Sequence, residues 1–269
     1  MIQLSVYSSP EPAFLVNSFI VETQSGVIVI DTQFLVSQAL KLQHEVEKLG
    51  KPILGVIVTH PHPDHFNGTS ILCKDRDIPI YATQSTLDGI KAVEAAKRDF
   101  WKQTYGADYP DSTTFPNQIV QSKELVIDGV QLIIDDLGAG ESSDITVIYL
   151  LTEKLLIASD LLYHKVHPWL AESRSQGWID QIDYVKKTYA EAKIVYAGHG
   201  AAGTLATLDE QLEYISFFRE LVNNHLSNQG IADGAKAQLK QIMQNRYPGY
   251  PLEFLIEMNI DGVAKELVG

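Results

Sequence analysis

Six residues, His60-Pro61-His62-Pro63-Asp64-His65, stand directly behind the apolar run Val56-Ile57-Val58 and constrain the fold more than any other part of the chain. A β-branched run of that kind reads as a strand. The cluster therefore lies where a strand ends and a loop begins, a position from which alternating side chains can be aimed at one point. Pro61 and Pro63 each fix a backbone angle, which lowers the entropy lost in holding those side chains in place. Imidazole nitrogen and carboxylate oxygen are the usual ligands of zinc and related ions when thiolate is absent. Four such groups within six residues are more than one tetrahedral ion can accept while leaving room for a substrate. Two ions sharing the cluster are the natural solution.

The text around the cluster alternates strand-like and helix-like patterns. Phe19-Ile20-Val21-Glu22 and Val27-Ile28-Val29-Ile30 are β-branched runs separated by Thr23-Gln24-Ser25-Gly26, a hairpin turn. A helical pattern from about Ser37 to Leu49 stops at Gly50 and Pro52. Ile53 to Val58 is the strand that feeds the cluster, and Ile78 to Ala82 is another beyond a short helix. Residues 85–122 open as a helix and then carry Phe100, Trp101, Tyr105, Tyr109 and Phe115 among Pro110 and Pro116, an aromatic insertion that reads as a lid or as a surface subdomain. Strands return at Glu124 to Ile127, Val130 to Ile134, Ile145 to Leu151 and Leu155 to Ala158, with Asp128-Gly129 as a hairpin signal. A helix from about Trp178 to Ala190 precedes the strand Ile194 to Ala197, and residues 207–269 are mostly helical. In that tail Leu255, Ile256, Ile260 and Val263 recur at near-helical spacing, read as core packing in preference to a dimer contact. Strands plus helix occur twice without a linker. The expectation is one α/β (α+β) domain over residues 1–269, a four-layer αββα sandwich with two sheets face to face and helices outside.

Charge and cysteine usage narrow the partners. The formal net charge of -13 repels a phosphate backbone, and the densest basic pair, Lys186-Lys187, falls on a helical pattern, so nucleic acid is not expected. The single cysteine, Cys73, cannot form an intrachain disulfide and reads as a small buried hydrophobe. The start, Met1-Ile2-Gln3-Leu4-Ser5-Val6-Tyr7, lacks the pattern of a secretory leader, and no apolar stretch approaches membrane-span length. A cytoplasmic, membrane-free protein is expected, of unspecified oligomeric state. His44 and His225 lie in helical stretches away from any motif and read as solvent-facing.

The His-X-His-X-Asp-His text resembles the signature of the metallo-β-lactamase superfamily, and the resemblance extends over nearly the whole chain. It implies that His60 and His62 bind a first metal and that Asp64 and His65 bind a second, with Asp64 serving catalysis as well. Asp160, in Ser159-Asp160, looks like the strand-end aspartate that bridges both metals. His199, in Tyr196-Ala197-Gly198-His199-Gly200, looks like the last ligand of the second metal. Asp31, closing Val27 to Ile30, matches an early strand-end aspartate expected to orient a ligand. One position departs from the pattern. Where many members place a third histidine, this chain has Gly138-Ala139-Gly140-Glu141-Ser142-Ser143-Asp144, and the aligned residue is Glu141. Carboxylate can replace imidazole, so Glu141 is expected to complete the first site; two zinc ions per chain are expected, with manganese or iron, harder ions that a carboxylate suits, as alternatives.

Two divalent ions lower the pKa of a shared water, and the resulting hydroxide attacks an electrophilic centre without a serine or cysteine nucleophile. Ser142 and Ser143 lack a Gly-X-Ser-X-Gly context and read as turn residues. Tyr163, His164 and His167, following Asp160 on what reads as a loop, are candidates for contact with substrate. Acidity argues against nucleases. The absence of a late basic cluster argues against glyoxalase II-like thioesterases. The complete second-metal set argues against single-iron persulfide dioxygenases, and the Asp64-His65 pair against flavo-diiron reductases. What remains is hydrolysis of a small-molecule ester, lactone, thioester or amide, with an apolar substrate suited to the aromatic insertion. The alternatives are a member that binds metal or ligand without turnover and an iron-dependent oxidoreductase on the same fold.

Overall fold

The computed structural model describes residues 2–74, 76–227 and 230–269; Met1, where the leader-free reading begins, lies outside them. In chain order the elements are β1 (Gln3–Ser8), β2 (Asn17–Glu22), β3 (Val27–Ile30), α1 (Val36–Glu47), β4 (Ile53–Ile57), the short helices α2 (Pro63–Phe66) and α3 (Thr69–Leu72), β5 (Ile80–Ala82), α4 (Gln84–Tyr105) and β6 (Gln118–Ile119). There follow β7 (Glu124–Ile127), β8 (Val130–Asp136), β9 (Thr146–Leu150), β10 (Leu155–His164), α5 (Ser175–Thr188), β11 (Ile194–Gly200), α6 (Leu205–Asn223), α7 (Asp233–Arg246) and α8 (Leu255–Val268).

Two sheets result, one ordered β1-β2-β3-β4-β5-β6 and the other β11-β10-β9-β8-β7. The two-residue period of the strands decides how they stack. On β3, Ile28 and Ile30 join Ile148, Leu150 and Ile157 of the opposite sheet in one buried cluster. Val27 and Val29 point the other way, onto Ala39, Leu42 and Val46 of α1. On β9, Val147 and Tyr149 pack with Trp178 and Ile182 of α5 and with Phe218 of α6. The layers are therefore helix, sheet, sheet, helix, as the sequence predicts. In α8, Leu255, Ile256, Ile260 and Val263 all lie in that last cluster, so the tail is core packing. Cys73 is buried, with its thiol pushed up to about 12 mainly by burial. His44 is exposed, but His225 is half-buried, with its ring Nδ1 at 2.9 Å from the Leu221 carbonyl.

Four segments differ from the sequence reading. β10 does not stop at Ala158 but runs on to His164. Ser159, at φ 48°, shifts the register against parallel β11, and the backbone continues where the polar Ser159-Asp160 pair reads as an end. Tyr163 and His164 are thus strand residues and not loop residues. β11 likewise continues through His199 to Gly200. β1 is a strand absent from the sequence reading; its alternation Gln3-Leu4-Ser5-Val6 is short, and as an edge strand it is mostly exposed. The aromatic stretch is not irregular as far as Tyr105: α4 carries Phe100 and Trp101, capped at its start by Thr83, whose Oγ1 accepts from the Thr86 amide, and ended at Gly106, φ 54°. Its buried residues, Thr86, Leu87 and Ile90, occupy only the first turns, so its second half leaves the core.

Candidate metal centre

The sheet ends bring seven side chains together from four stretches of chain. His60, His62, Glu141 and Asp160 form one group, and Asp64, His65, Asp160 and His199 form another, with the potential ligand atoms of each group within 4.8 Å of one another. Asp160 belongs to both. Its Oδ1 lies 3.1 Å from His65 Nε2, and its Oδ2 lies 3.2 Å from His199 Nε2 and 3.5 Å from His60 Nε2. Glu141 Oε2 is 3.5 Å from His62 Nδ1 and 4.0 Å from His60 Nε2. Asp64 Oδ2 is 3.5 Å from His199 Nε2 and 3.6 Å from His65 Nε2. The glycine before His199 is required by this crowding, since a Cβ on Gly198 would stand 1.9 Å from Asp160 Oδ1.

Each histidine is held from behind. His65 Nδ1 pairs at 2.8 Å with Asp31 Oδ2. His62 Nε2 pairs at 2.9 Å with Glu172 Oε1, and Arg174 pairs with the other oxygen of Glu172. His199 Nδ1 donates to the Phe14 carbonyl at 2.7 Å. His60 Nδ1 faces Thr59 Oγ1 at 3.0 Å, and that hydroxyl lies 2.8 Å from Asp31 Oδ2. A carboxylate can only accept, so Thr59 gives its proton to Asp31 and receives one from His60. With every outward nitrogen engaged as a donor, the inward nitrogen of each ring presents a lone pair whenever that ring is neutral. Inside, His65 Nε2, Glu141 Oε2 and Asp160 Oδ1 are buried without a hydrogen-bond partner. Converging lone pairs and orphaned oxygens are what a pair of divalent cations satisfies, so the donor set fits such ions.

The charges at the site act unevenly on these groups, and a ring or carboxyl drawn to its protonated form must release that proton to hold a cation. Burial pushes His60 down to about 4, with the charge of His65 adding to it. At His62 burial opposes the charged form, but Glu141, Glu172 and Asp64 overcome it and lift the ring to about 9. Burial drives the Glu141 carboxyl well above the usual range, and Asp160 and Glu172 push it further. Asp160 is held well below that range despite burial, by the imidazoles of His65, His199 and His60. Positive charge between Glu141 and Asp160 relieves the repulsion between them.

Tyr163 lies against both groups. Its hydroxyl is 2.6 Å from Asp160 Oδ2 and 3.0 Å from Glu141 Oε1, and its ring stacks on His199 with centroids 4.5 Å apart. It lines a cavity of about 500 Å³ whose floor includes His62, Asp64 and His199. His164 and His167 are not among the described residues lining that cavity. His164 Nδ1 pairs with the Ala201 carbonyl at 2.8 Å, and His167 is buried with Nδ1 at 2.7 Å from Tyr214 Oη. Thr59, Glu172 and Phe14 escaped the sequence reading. Thr59 adjoins the cluster and was open to suspicion. Glu172 lies 110 residues from its histidine, and Phe14 acts through a carbonyl that every residue possesses.

Comparison with known proteins matches residues 12–213 to the metallo-beta-lactamase superfamily model. The chain is 25% identical over 205 residues to a type 2 metallo-beta-lactamase of Bacillus cereus, an alignment spanning 74% of this chain and 72% of that protein. It is 36% identical over 76 residues to a linear primary-alkylsulfatase of a Pseudomonas species, covering 26% of this chain but only 14% of the relative. Among solved structures, a metallo-beta-lactamase family protein of Thermus thermophilus superposes with a TM-score of 0.71 at 18% identity, over 98% of this chain and 92% of that one.

Proposed function

The chain belongs to the metallo-beta-lactamase superfamily, and from that premise we propose that it is a metal-dependent hydrolase cleaving a small-molecule ester, lactone, thioester or amide bond. The observation that carries the reading is the pair of donor groups joined by Asp160, with orphaned atoms turned inward at the floor of a cavity. His60, His62 and Glu141 would hold one ion, Asp64, His65 and His199 the other, and Asp160 both. Bound there, divalent ions, zinc first and manganese or iron as harder alternatives, would supply Lewis acidity and bring the ionisation of water near neutral pH.

The remaining work falls to the chain. Asp31, Thr59, Glu172 and the Phe14 carbonyl fix the four rings, so no ligand has to reorganise when substrate arrives. Tyr163 gives its one hydroxyl proton to the carboxylate of Asp160 at the cavity floor, so toward a substrate it offers its hydroxyl oxygen as an acceptor and its ring as a wall. Asp64, with its side chain 14% exposed, is the carboxylate of the donor groups that opens to the cavity, where it can take a proton from the attacking water and hand that same proton to the departing group. The apolar walls exclude bulk water from the floor. On this reading residues 1–269 act as one catalytic unit on a small molecule, and among the described residues no helix is long and apolar enough to cross a membrane. The net charge of -13 supports a small-molecule substrate over nucleic acid. A sulfate ester is the second reading, supported by the short likeness to an alkylsulfatase.

The test is metal content by mass spectrometry together with a panel of ester, lactone, thioester, β-lactam and alkyl sulfate substrates, with an oligonucleotide as control. Two ions per chain and metal-dependent turnover of a panel member are expected. A metal-loaded protein inert to the whole panel would reject the hydrolase reading. In Glu141→Ala the content should fall to one ion, and an unchanged content of two would remove Glu141 from the ligands.

A further inference from the structure

The cavity above the metal groups is walled by parts of the chain that supply no ligand. Phe14 comes from the loop before β2, Phe100 and Trp101 from the far half of α4, and Phe254, Leu255 and Met258 from the start of α8. α8 lies beyond residue 213, where the match to the family model ends. It is firmly placed. Glu266 accepts from the backbone amides of Ser175 and Gln176 and pairs with Arg219, while Asn259 bonds the Pro168 carbonyl and the Leu170 amide. Gly262 brings α8 so close to the backbone that an added Cβ would stand 2.5 Å from Ala171 Cα.

The apolar surface does not stop at the mouth of the cavity. Phe100, Phe254 and Met258 are 60%, 48% and 46% exposed, so three of the large exposed hydrophobic residues share one rim. Lys97, the lysine in the lining, is half-buried on α4 just before Phe100. A compact polar substrate would leave the wall and rim wet. An apolar chain that fills the cavity and passes out over the rim would cover both.

We propose that the cavity is the binding site for an aliphatic chain, so that the bond presented to the metal groups belongs to an amphiphile with an extended hydrocarbon tail. The inference rests on the hydrolase reading for the bond that is cut, and on the cavity alone for the tail. The metal-loaded enzyme is therefore assayed with p-nitrophenyl esters from acetate to dodecanoate. Separately, binding of 1-alkanols from butanol to decanol is followed by the fluorescence of Trp101 and Trp169, both in the lining. Burying one methylene is worth about 0.8 kcal/mol, or about fourfold, so kcat/KM and alkanol affinity should each rise two- to fourfold per carbon until the cavity is full. The paired substitution Phe100→Ser and Met258→Lys should flatten both series while metal content stays at the wild-type value. Alkanol affinity that rises with length in a metal-loaded protein inert to these esters and to the whole panel above would retain the tail site and reject the hydrolase reading. Ester hydrolysis independent of chain length, with flat alkanol affinity, would overturn the tail site and leave the hydrolase reading intact. A stable dimer that buries the rim, giving the same flat series, would overturn it too.

Discussion

At the scale of single residues, the side chains behind the ligands carry as much of the design as the ligands. Glu172 touches no other donor of the two groups, yet it sets which nitrogen of His62 faces inward. Loss of such a partner typically weakens metal affinity ten- to a hundredfold. Glu172→Ala should show that loss in a chelator competition, and an unchanged affinity would reduce the contact to packing. His167 makes the opposite case, an imidazole kept neutral. Burial lowers it to about 4, so the unfolded chain binds the proton more readily than the folded one. Its contribution is complete above about pH 6.5 and is lost as the pH falls toward 4, the loss amounting to about 2 kcal/mol at pH 5. His167→Gln should therefore flatten the acid limb of a melting-temperature profile between pH 7 and 5; an unaltered slope would place the acid sensitivity elsewhere.

At the scale of elements, the site is a product of irregularities in otherwise regular strands. Ser159 and Asp31 both adopt left-handed backbone angles, φ 48° and 59°, at the points where β10 and β3 meet the polar floor. Those kinks turn Asp160 and Asp31 to the same side as the histidine loop. The helices, by contrast, are fixed by discrete ties. Asp108 accepts from the Ser37 amide and hydroxyl at the start of α1, at 2.8 Å each. Glu266 does the same for the start of α5 and joins it to α8. Replacing a charged acceptor of several partly buried donors costs roughly 1–3 kcal/mol. Glu266→Ala should accordingly accelerate hydrogen exchange along residues 255–268 before the rest of the fold responds. Exchange that rises uniformly over the chain would mean that α8 is held by its apolar face alone.

For the molecule as a whole, two sheets press together through an apolar interior while the acidic and imidazole groups collect at one end of it. Ions that bind the folded chain and not the unfolded one stabilise it by mass action, about 2.7 kcal/mol at a hundredfold excess over Kd. For a chain of this size that corresponds to roughly 5–10 °C in Tm. Chelation should lower Tm by about that amount and re-addition of zinc should restore it, whereas an unmoved Tm would count against metal binding in the folded state.

The sequence by itself determined the layers and the composition of the floor. Continuous apolar runs such as Val27 to Ile30 commit both faces of a strand to burial, and His60, His62, Asp64 and His65 stand within one short stretch, so local text carries them. Glu141 stood out for a related reason, as an acid where the pattern asks for a base. Only the tertiary structure decided that Glu172 supports His62, that the Phe14 carbonyl holds His199, and that α8 closes the cavity. Those pairings join residues that are 110 and 185 positions apart and use groups with no chemical signature of their own. A contact of that kind is set by where the folded layers bring two surfaces together, and no local pattern encodes it.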